Sequence, residues 1–106
     1  VTTGEVTQAV RDTSAEIGDI RKDDWIGIVK SDGIVACSAD QVECVLGLLD
    51  HIIGDDAEII TVICGEDAEA ATTETITGWL GDHHAAVAVE VHAGGQPLYP
   101  YLFGVE

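Results

Sequence analysis

The segment DQVECVLGLLDHIIGDDAEIITVICG, residues 40–65, decides the fold because it encodes a helix followed by a strand. Asp40 offers an N-cap oxygen, and Glu43 lies where a capping-box carboxylate reaches back to the first free amides. An apolar stripe at three- and four-residue intervals then runs to Gly54, a typical helix stop; it comprises Val42, Val45, Leu46, Leu49, Ile52 and Ile53. The β-branched run Ile59–Cys64 is typical of a central parallel strand covered on both faces.

A second helix and a further strand follow this segment. Helical spacing from Ala68 to Leu80, with Gly81 at its end, predicts a helix that depends on packing, because its many threonines give it mediocre propensity. Alternating valines over residues 87–91 predict a third central strand. A strand-helix-strand unit of this length closes as a right-handed parallel crossover.

The last strand, Tyr99–Val105, follows a turn that is too short for a crossover. It should therefore run antiparallel, and Pro97 and Pro100 place its start near an edge of the sheet.

Three strands are predicted before the first helix. Glu5–Arg11 alternates β-branched and polar residues, a polar loop covers residues 12–19, and Trp25–Val29 and Ile34–Cys37 flank an Asp-Gly turn. The whole pattern predicts one α/β (α+β) domain over residues 1–106, with a mixed β-sheet, the order β-β-β-α-β-α-β-β and helices mainly on one face.

The charge balance limits the partners of this domain. Twenty Asp and Glu against four Lys and Arg give a formal net charge of -16. Nucleic acid and anionic membrane surfaces are poor partners, because both are bound through cations. A basic protein surface is the natural complement, although acidity that only keeps the surface solvated explains the same composition.

Neither a disulfide framework nor a membrane span is predicted. Cys37, Cys44 and Cys64 are odd in number and lack a CxxC pattern, and no apolar run approaches the ~20 residues that span a bilayer. We therefore expect a soluble, cytoplasmic domain. Because it opens with Val1 in strand-like sequence, we interpret it as the C-terminal part of a longer protein.

Two turns are expected at a common rim. Parallel strands end on the same side of a sheet, so the turn Gly65-Glu66-Asp67 and the segment His92–Pro97 should lie near each other. Glu66 and Asp67 occupy the positive end of the following helix, which argues against a bound phosphate. Their simplest role is structural, with Asp67 capping the helix.

The segment HAGGQPLYPY, residues 92–101, allows two interpretations. It is either turn chemistry, since Gly94 and Gly95 permit positive φ or close backbone approach, or a recognition edge with tyrosines beside prolines. It lacks the Gly-Lys-Ser/Thr of a phosphate loop. Arg11 is likewise open to two roles, an ordinary salt bridge or an anchor for a partner carboxylate.

Catalytic and metal-binding residues are not predicted. His83 and His84 are adjacent, and neighbours on an extended chain point apart, so they make a poor ligand pair. Cys64 is the one thiol placed at a strand end beside a helix N-terminus, yet no histidine is positioned by sequence as its base.

Three separated stretches carry a family resemblance. The opening TGEVTQAVRDT (residues 3–13), the Gly65-Glu66-Asp67 turn and the ending from Val91 to Glu106 resemble the C-terminal domain of bacterial dihydroxyacetone-kinase-like proteins, including the ATP-binding component of fatty acid kinase. The resemblance implies a parent kinase whose N-terminal domain binds ATP and magnesium, with no cofactor in this part. It implies phosphoryl transfer to a fatty acid carboxylate held by a DegV-type fatty-acid-binding protein.

In this interpretation the chain is a non-catalytic docking domain with DegV-type protein and the other domains of the parent as partners. The predicted contact residues are Arg11, Glu66, Asp67, His92, Gly94, Gly95, Gln96, Pro97, Tyr99 and Tyr101. Two alternatives stay open: a structural domain whose edge strand pairs with a second copy, and a small ligand or metal site using His92, Glu66 and Cys64.

Overall fold

A computed structural model describes residues 2–106. It contains eight strands and two helices in one chain of elements, and six of the strands form a single mixed sheet. The elements are β1 Thr2–Gln8, β2 Thr13–Ala15, β3 Gly18–Ile20, β4 Trp25–Val29, β5 Gly33–Ser38, α1 Gln41–Ile52, β6 Ile59–Cys64, α2 Ala70–His83, β7 Ala88–Ala93 and β8 Tyr101–Val105. The predicted fold class and the predicted order of the sheet strands and helices are confirmed.

The strand order in the sheet is β5-β4-β1-β8-β6-β7. Only β6 and β7 are parallel, and β8 runs antiparallel to both β1 and β6. The antiparallel direction of the last strand is thus confirmed, but its predicted edge position is wrong. The crossover through α2 puts β7 outside β6, so β8 fills the gap between β6 and β1. With both edges bonded, β8 has no free edge for pairing with a second copy.

Both helices pack on one face of this sheet. The apolar side of α1 covers β1, β4 and β5, and the buried Ile76 and Leu80 of α2 join the same core. The expectation that β6 is covered on both faces is wrong. Ile60 and Val62 are fully buried on the helical side, whereas Thr61 and Ile63 on the other side stay partly exposed. No helix within residues 2–106 is long and apolar enough to cross a membrane.

The start of α1 is as predicted, with one change in its capping. The Asp40 carboxylate accepts from the Glu43 amide at 3.2 Å. The Asp40 amide, however, donates to the Ser38 hydroxyl at 3.1 Å, and that hydroxyl donates to the Glu43 carboxylate at 3.0 Å. Ser38 therefore bridges the two halves of the expected capping box.

The start of α2 differs from the prediction. Its N-cap is Glu69, without a side-chain hydrogen bond, so the expectation that Asp67 caps this helix is wrong. A turn closed by the Ala68 amide and the Gly65 carbonyl at 3.1 Å delays the helix by several residues. The carboxylate of Asp67 stays exposed, where another molecule can reach it.

The predicted loop over residues 12–19 contains a small hairpin of β2 and β3. Strands of three residues show too little alternation to be recognised, and Ile20 is their one fully buried anchor. The first strand also ends at Gln8 rather than Arg11, because the Ala9 amide donates to the Asp24 carbonyl at 2.7 Å and turns away from the sheet.

Burial of Cys44 makes stability fall at alkaline pH. Burial, with a smaller effect of Cys37, raises the pKa of the Cys44 thiol from 9.0 to about 12. The folded state therefore keeps a proton that the unfolded state loses, and stability is complete below pH 9 and falls as the pH rises towards 12. Denaturant unfolding at about pH 8 and pH 10 should show a loss roughly 1 kcal/mol larger than in Cys44→Ala. Equal losses in the two proteins would contradict this assignment.

Candidate functional site

The turn after β6 and the loop before β8 are bonded into one structure. The Gly65 amide donates to the Pro100 carbonyl at 2.8 Å, and the Glu66 amide donates to the Gln96 carbonyl at 3.1 Å. The amides of Gly94 and Gly95 both donate to the Cys64 carbonyl, at 2.8 and 3.0 Å. The structure thus brings together the two turns that the strand order placed at one rim.

Each glycine of the loop serves a separate geometric need. Gly95 has φ +68°, in the left-handed region, whereas a Cβ on Gly94 would collide with Ile63 and the Gln96 side chain. The Gln96 amide group donates to the Tyr99 carbonyl at 2.9 Å and to the Ile63 carbonyl at 3.3 Å. Gln96 therefore ties the loop to β6 from within.

The end of β1 fastens two loops side by side. The Thr7 hydroxyl donates to the Leu98 carbonyl at 2.8 Å, while the Gln8 side chain donates to the Asp23 carbonyl at 3.0 Å. The backbone of Ala9 adds bonds to Asp23 and Asp24. Two segments far apart in the sequence are therefore held in a fixed relation by β1.

A cavity of about 420 Å³ lies between these loops. Val10 and Leu98, which are 83 % and 76 % exposed, stand at its mouth as unusually exposed apolar side chains. Trp25 and Tyr99 lie deeper and are half-buried. We call this region the rim; it comprises the cavity lining Thr7, Gln8, Ala9, Val10, Lys22, Asp23, Trp25, Asp67, Leu98, Tyr99 and Pro100, with the adjoining Gly65, Glu66 and Gly94–Pro97.

The backbone of the rim is strained. Asp23 has φ +74° and Leu98 has φ +69°, and they are the only residues other than glycine with positive φ in residues 2–106. A left-handed conformation costs a residue with a side chain about 1–2 kcal/mol. Both strained residues line the same cavity, and such strain concentrates at functional sites.

The rim carries carboxylates and few cations. Asp23 and Asp67 line the cavity, Glu66 adjoins it, and Lys22 is its one cation. The only salt bridge within residues 2–106 joins His51 to Asp32 at 3.2 Å, so it does not involve Arg11, which is exposed. The predicted internal salt bridge of Arg11 is therefore wrong.

One predicted contact residue lies elsewhere. Tyr101 is 0 % exposed, stacks on Phe103 with ring centroids 5.9 Å apart, and hydrogen-bonds Thr73 at 2.7 Å. Its expected contact with a partner is wrong, since β8 is central and turns this ring into the core. Burial also raises the pKa of the Tyr101 phenol. Tyr101 instead supports the rim from below.

The other predicted residues are distributed around the rim. Glu66, Asp67 and Pro97 are exposed, and Tyr99 is half-buried at the cavity. His92 is exposed on β7, where it pairs with Ile63. No group of three or more His, Cys, Asp or Glu side chains within the described part of the chain is arranged to hold a metal ion.

Sequence reasoning missed several rim residues. The pattern places Val10 in a strand and Leu98 in a turn, and it assigns no role to Asp23. The signal that identifies them is structural, since exposure and positive φ follow from tertiary contacts.

A family described as FakA-like, the C-terminal part of fatty acid kinase proteins, matches residues 1–106. The chain belongs to this family. The C-terminal domain is also 45 % identical over all of its 106 residues to an uncharacterized protein, SAR1202, of Staphylococcus aureus strain MRSA252. It is 44 % identical to another, SAUSA300_1119, of strain USA300. In each case it covers 19 % of the relative, so the chain spans about one fifth of these proteins.

Membership in the FakA-like family confirms the resemblance seen in the sequence. The stretches that carried it, residues 3–13, Gly65–Asp67 and 91–106, form β1 with its outgoing turn, the turn after β6, and β7–β8 with their loop. These are the segments that build the rim.

Proposed function

We propose that this domain docks a DegV-type fatty-acid-binding protein through the rim and takes no chemical part in catalysis. In this proposal the parent kinase holds ATP and magnesium in its N-terminal domain, in the cytoplasm. It transfers the γ-phosphoryl group to the carboxylate of the acyl chain carried by the docked protein, as part of phospholipid synthesis. Docking then serves to position that carboxylate, because holding two reactants together supplies much of the catalytic effect.

The observation that carries the proposal is the pair of exposed apolar side chains on a strained, tightly bonded frame. Val10 and Leu98 offer about the area of a binding hot spot, and the cavity between them accepts a side chain from another protein. A preorganised frame reduces the entropy that binding must overcome. The carboxylates around the cavity favour a partner whose contact surface is basic.

The position of the rim supports a separate partner. The seven-residue β1 begins at Thr2, which pairs with Val105, and ends at the rim. At about 3.3 Å per residue the rim lies roughly 20 Å from the pole where the chain enters β1 and leaves β8. A protein docked there therefore meets no obstruction from polypeptide attached at that pole.

Replacing Leu98 by asparagine should weaken docking at least tenfold without unfolding the domain. Asparagine adopts the left-handed region more readily than leucine, so the free energy of unfolding should stay equal or rise by up to about 1 kcal/mol. Loss of an exposed apolar anchor removes binding energy of about 1.4 kcal/mol or more. Isothermal titration calorimetry with the DegV-type protein measures the affinity, and chemical denaturation measures the stability.

The matched control is Ile17→Asn, since Ile17 is an exposed apolar residue of the β2–β3 turn that does not line the rim cavity. Its affinity should equal that of the native domain. Absence of binding heat with the native domain, at concentrations where the parent kinase is active, would refute the proposal. Equal affinities for all three proteins would refute the role of the rim.

A further inference from the structure

The side of the six-stranded sheet opposite the helices is uncovered. The open face, as we call it, is marked by a row that crosses all six strands: Ile34, Ile28, Glu5, Leu102, Ile63 and His92. Four of these six side chains are large and aliphatic, and none of the four belongs to the core or packs against it. An apolar sheet face of this kind marks an interaction surface.

The open face also contains a hollow. Gly104 sits between Thr3 and Thr61 in the neighbouring strands, and a Cβ on Gly104 would meet no atom within 4 Å. The missing side chain leaves a depression of about 300 Å³, bordered by Ile63 and Leu102. An apolar side chain of another surface fits this depression.

The charges on the open face select its occupant. Glu5 and Glu90 are exposed there, since they pair with Leu102 and Thr61 in the register of the sheet. The four cations of the chain lie elsewhere: Arg11, Arg21 and Lys22 precede β4, and Lys30 follows it. A second copy would oppose carboxylates to carboxylates and bring together two chains of net charge -16. A surface with lysine or arginine around an apolar centre has the complementary charge.

The same polypeptide can supply this surface. The domain covers 19 % of its relatives, so 100 − 19 = 81 % of each relative lies outside the matched part. The hollow adjoins the pole where Thr2 pairs with Val105, within a few residues of where further polypeptide would join. We propose that in the full-length protein the open face is covered by an apolar, lysine- or arginine-flanked surface of the rest of the same chain.

Thiol reactivity at the hollow tests this proposal. A cysteine at Thr61 (Thr61→Cys) should react with a maleimide at least tenfold more slowly in the full-length protein than in the 106-residue domain, as followed by peptide mass spectrometry. Val10→Cys at the rim is the control and should react equally in both. In the Thr61→Cys background, Glu90→Lys should speed the reaction of the full-length protein at least threefold, because it repels the basic surface. Glu74→Lys, on the exposed side of α2, should not.

Three results would overturn the proposal. Equal Thr61→Cys rates in the domain and the full-length protein would show that no segment of the chain covers the open face. Protection that requires added DegV-type protein would assign the open face to that partner. Protection of the isolated domain that grows with its own concentration would assign it to a second copy.

Discussion

Replacing Tyr101 by alanine is expected to lower the free energy of unfolding by about 4 kcal/mol. The ring is fully buried between α2 and the sheet, stacked on Phe103, and its hydroxyl reaches Thr73. Truncation leaves a large cavity and an unpaired polar group in the core. A domain of this size has a total stability of roughly 5–15 kcal/mol, so most of the variant should unfold in mild denaturant.

The matched control is Tyr101→Phe, which keeps the ring and removes only the hydroxyl. It should cost about 1 kcal/mol, the usual net value of one hydrogen bond. Denaturant titrations followed by far-UV circular dichroism give both values. A loss below about 2 kcal/mol for Tyr101→Ala would mean that this ring does not hold α2 on the sheet.

Replacing Gly65 by alanine should cost about 2 kcal/mol and open the rim. A Cβ at this position collides with the carbonyl oxygens of Tyr99 and Gln96 and approaches the Pro100 Cα to 3.2 Å. These are backbone atoms fixed by hydrogen bonds, so they cannot move aside as a flexible side chain would. The bonds from the Gly65 and Glu66 amides should lengthen or break.

Gly78→Ala is the control for this change. Gly78 lies in α2 with no atom within 4 Å of an added Cβ, so alanine there should stabilise the helix by about 0.5–1 kcal/mol. Opposite signs for the two glycines, measured by thermal or chemical unfolding, are expected. A neutral Gly65→Ala would show that the two turns are not in close contact.

Local signals in the sequence predicted the elements well. The capping oxygen of Asp40 and the apolar stripe up to Gly54 fixed α1, and the β-branched run Ile59–Cys64 fixed β6. Such signals depend on near neighbours in the chain, and the structure leaves them intact. The hairpin of β2 and β3 was missed because it rests on one buried residue, Ile20.

The arrangement of the sheet was harder to predict. The prolines before β8 suggested an edge, yet β8 lies between β1 and β6, because Pro97 and Pro100 precede the strand and remove none of its hydrogen bonds. The run Ile59–Cys64 suggested two covered faces, yet only one is covered by this chain. A β-branched residue fits a strand whether its far side meets a helix or another surface.

The candidate site was predicted in part. That Gly65–Asp67 and the Gly94–Pro97 loop share one rim follows from the common direction of parallel strands. The contribution of Val10, Asp23 and Leu98 does not follow, because the end of β1 gathers these loops only through long-range bonds such as that from Thr7 to Leu98. Sequence spacing carries no trace of such bonds.

The rim as the docking surface is tested most directly by recording amide chemical shifts of the ¹⁵N-labelled 106-residue domain during titration with unlabelled DegV-type protein. We expect changes or line broadening at Val10, Gly65, Glu66, Asp67 and Leu98, with the amides of α1 unaffected. Shifts confined to α1 or to the open face, or no shifts at a saturating concentration of the partner, would contradict the account.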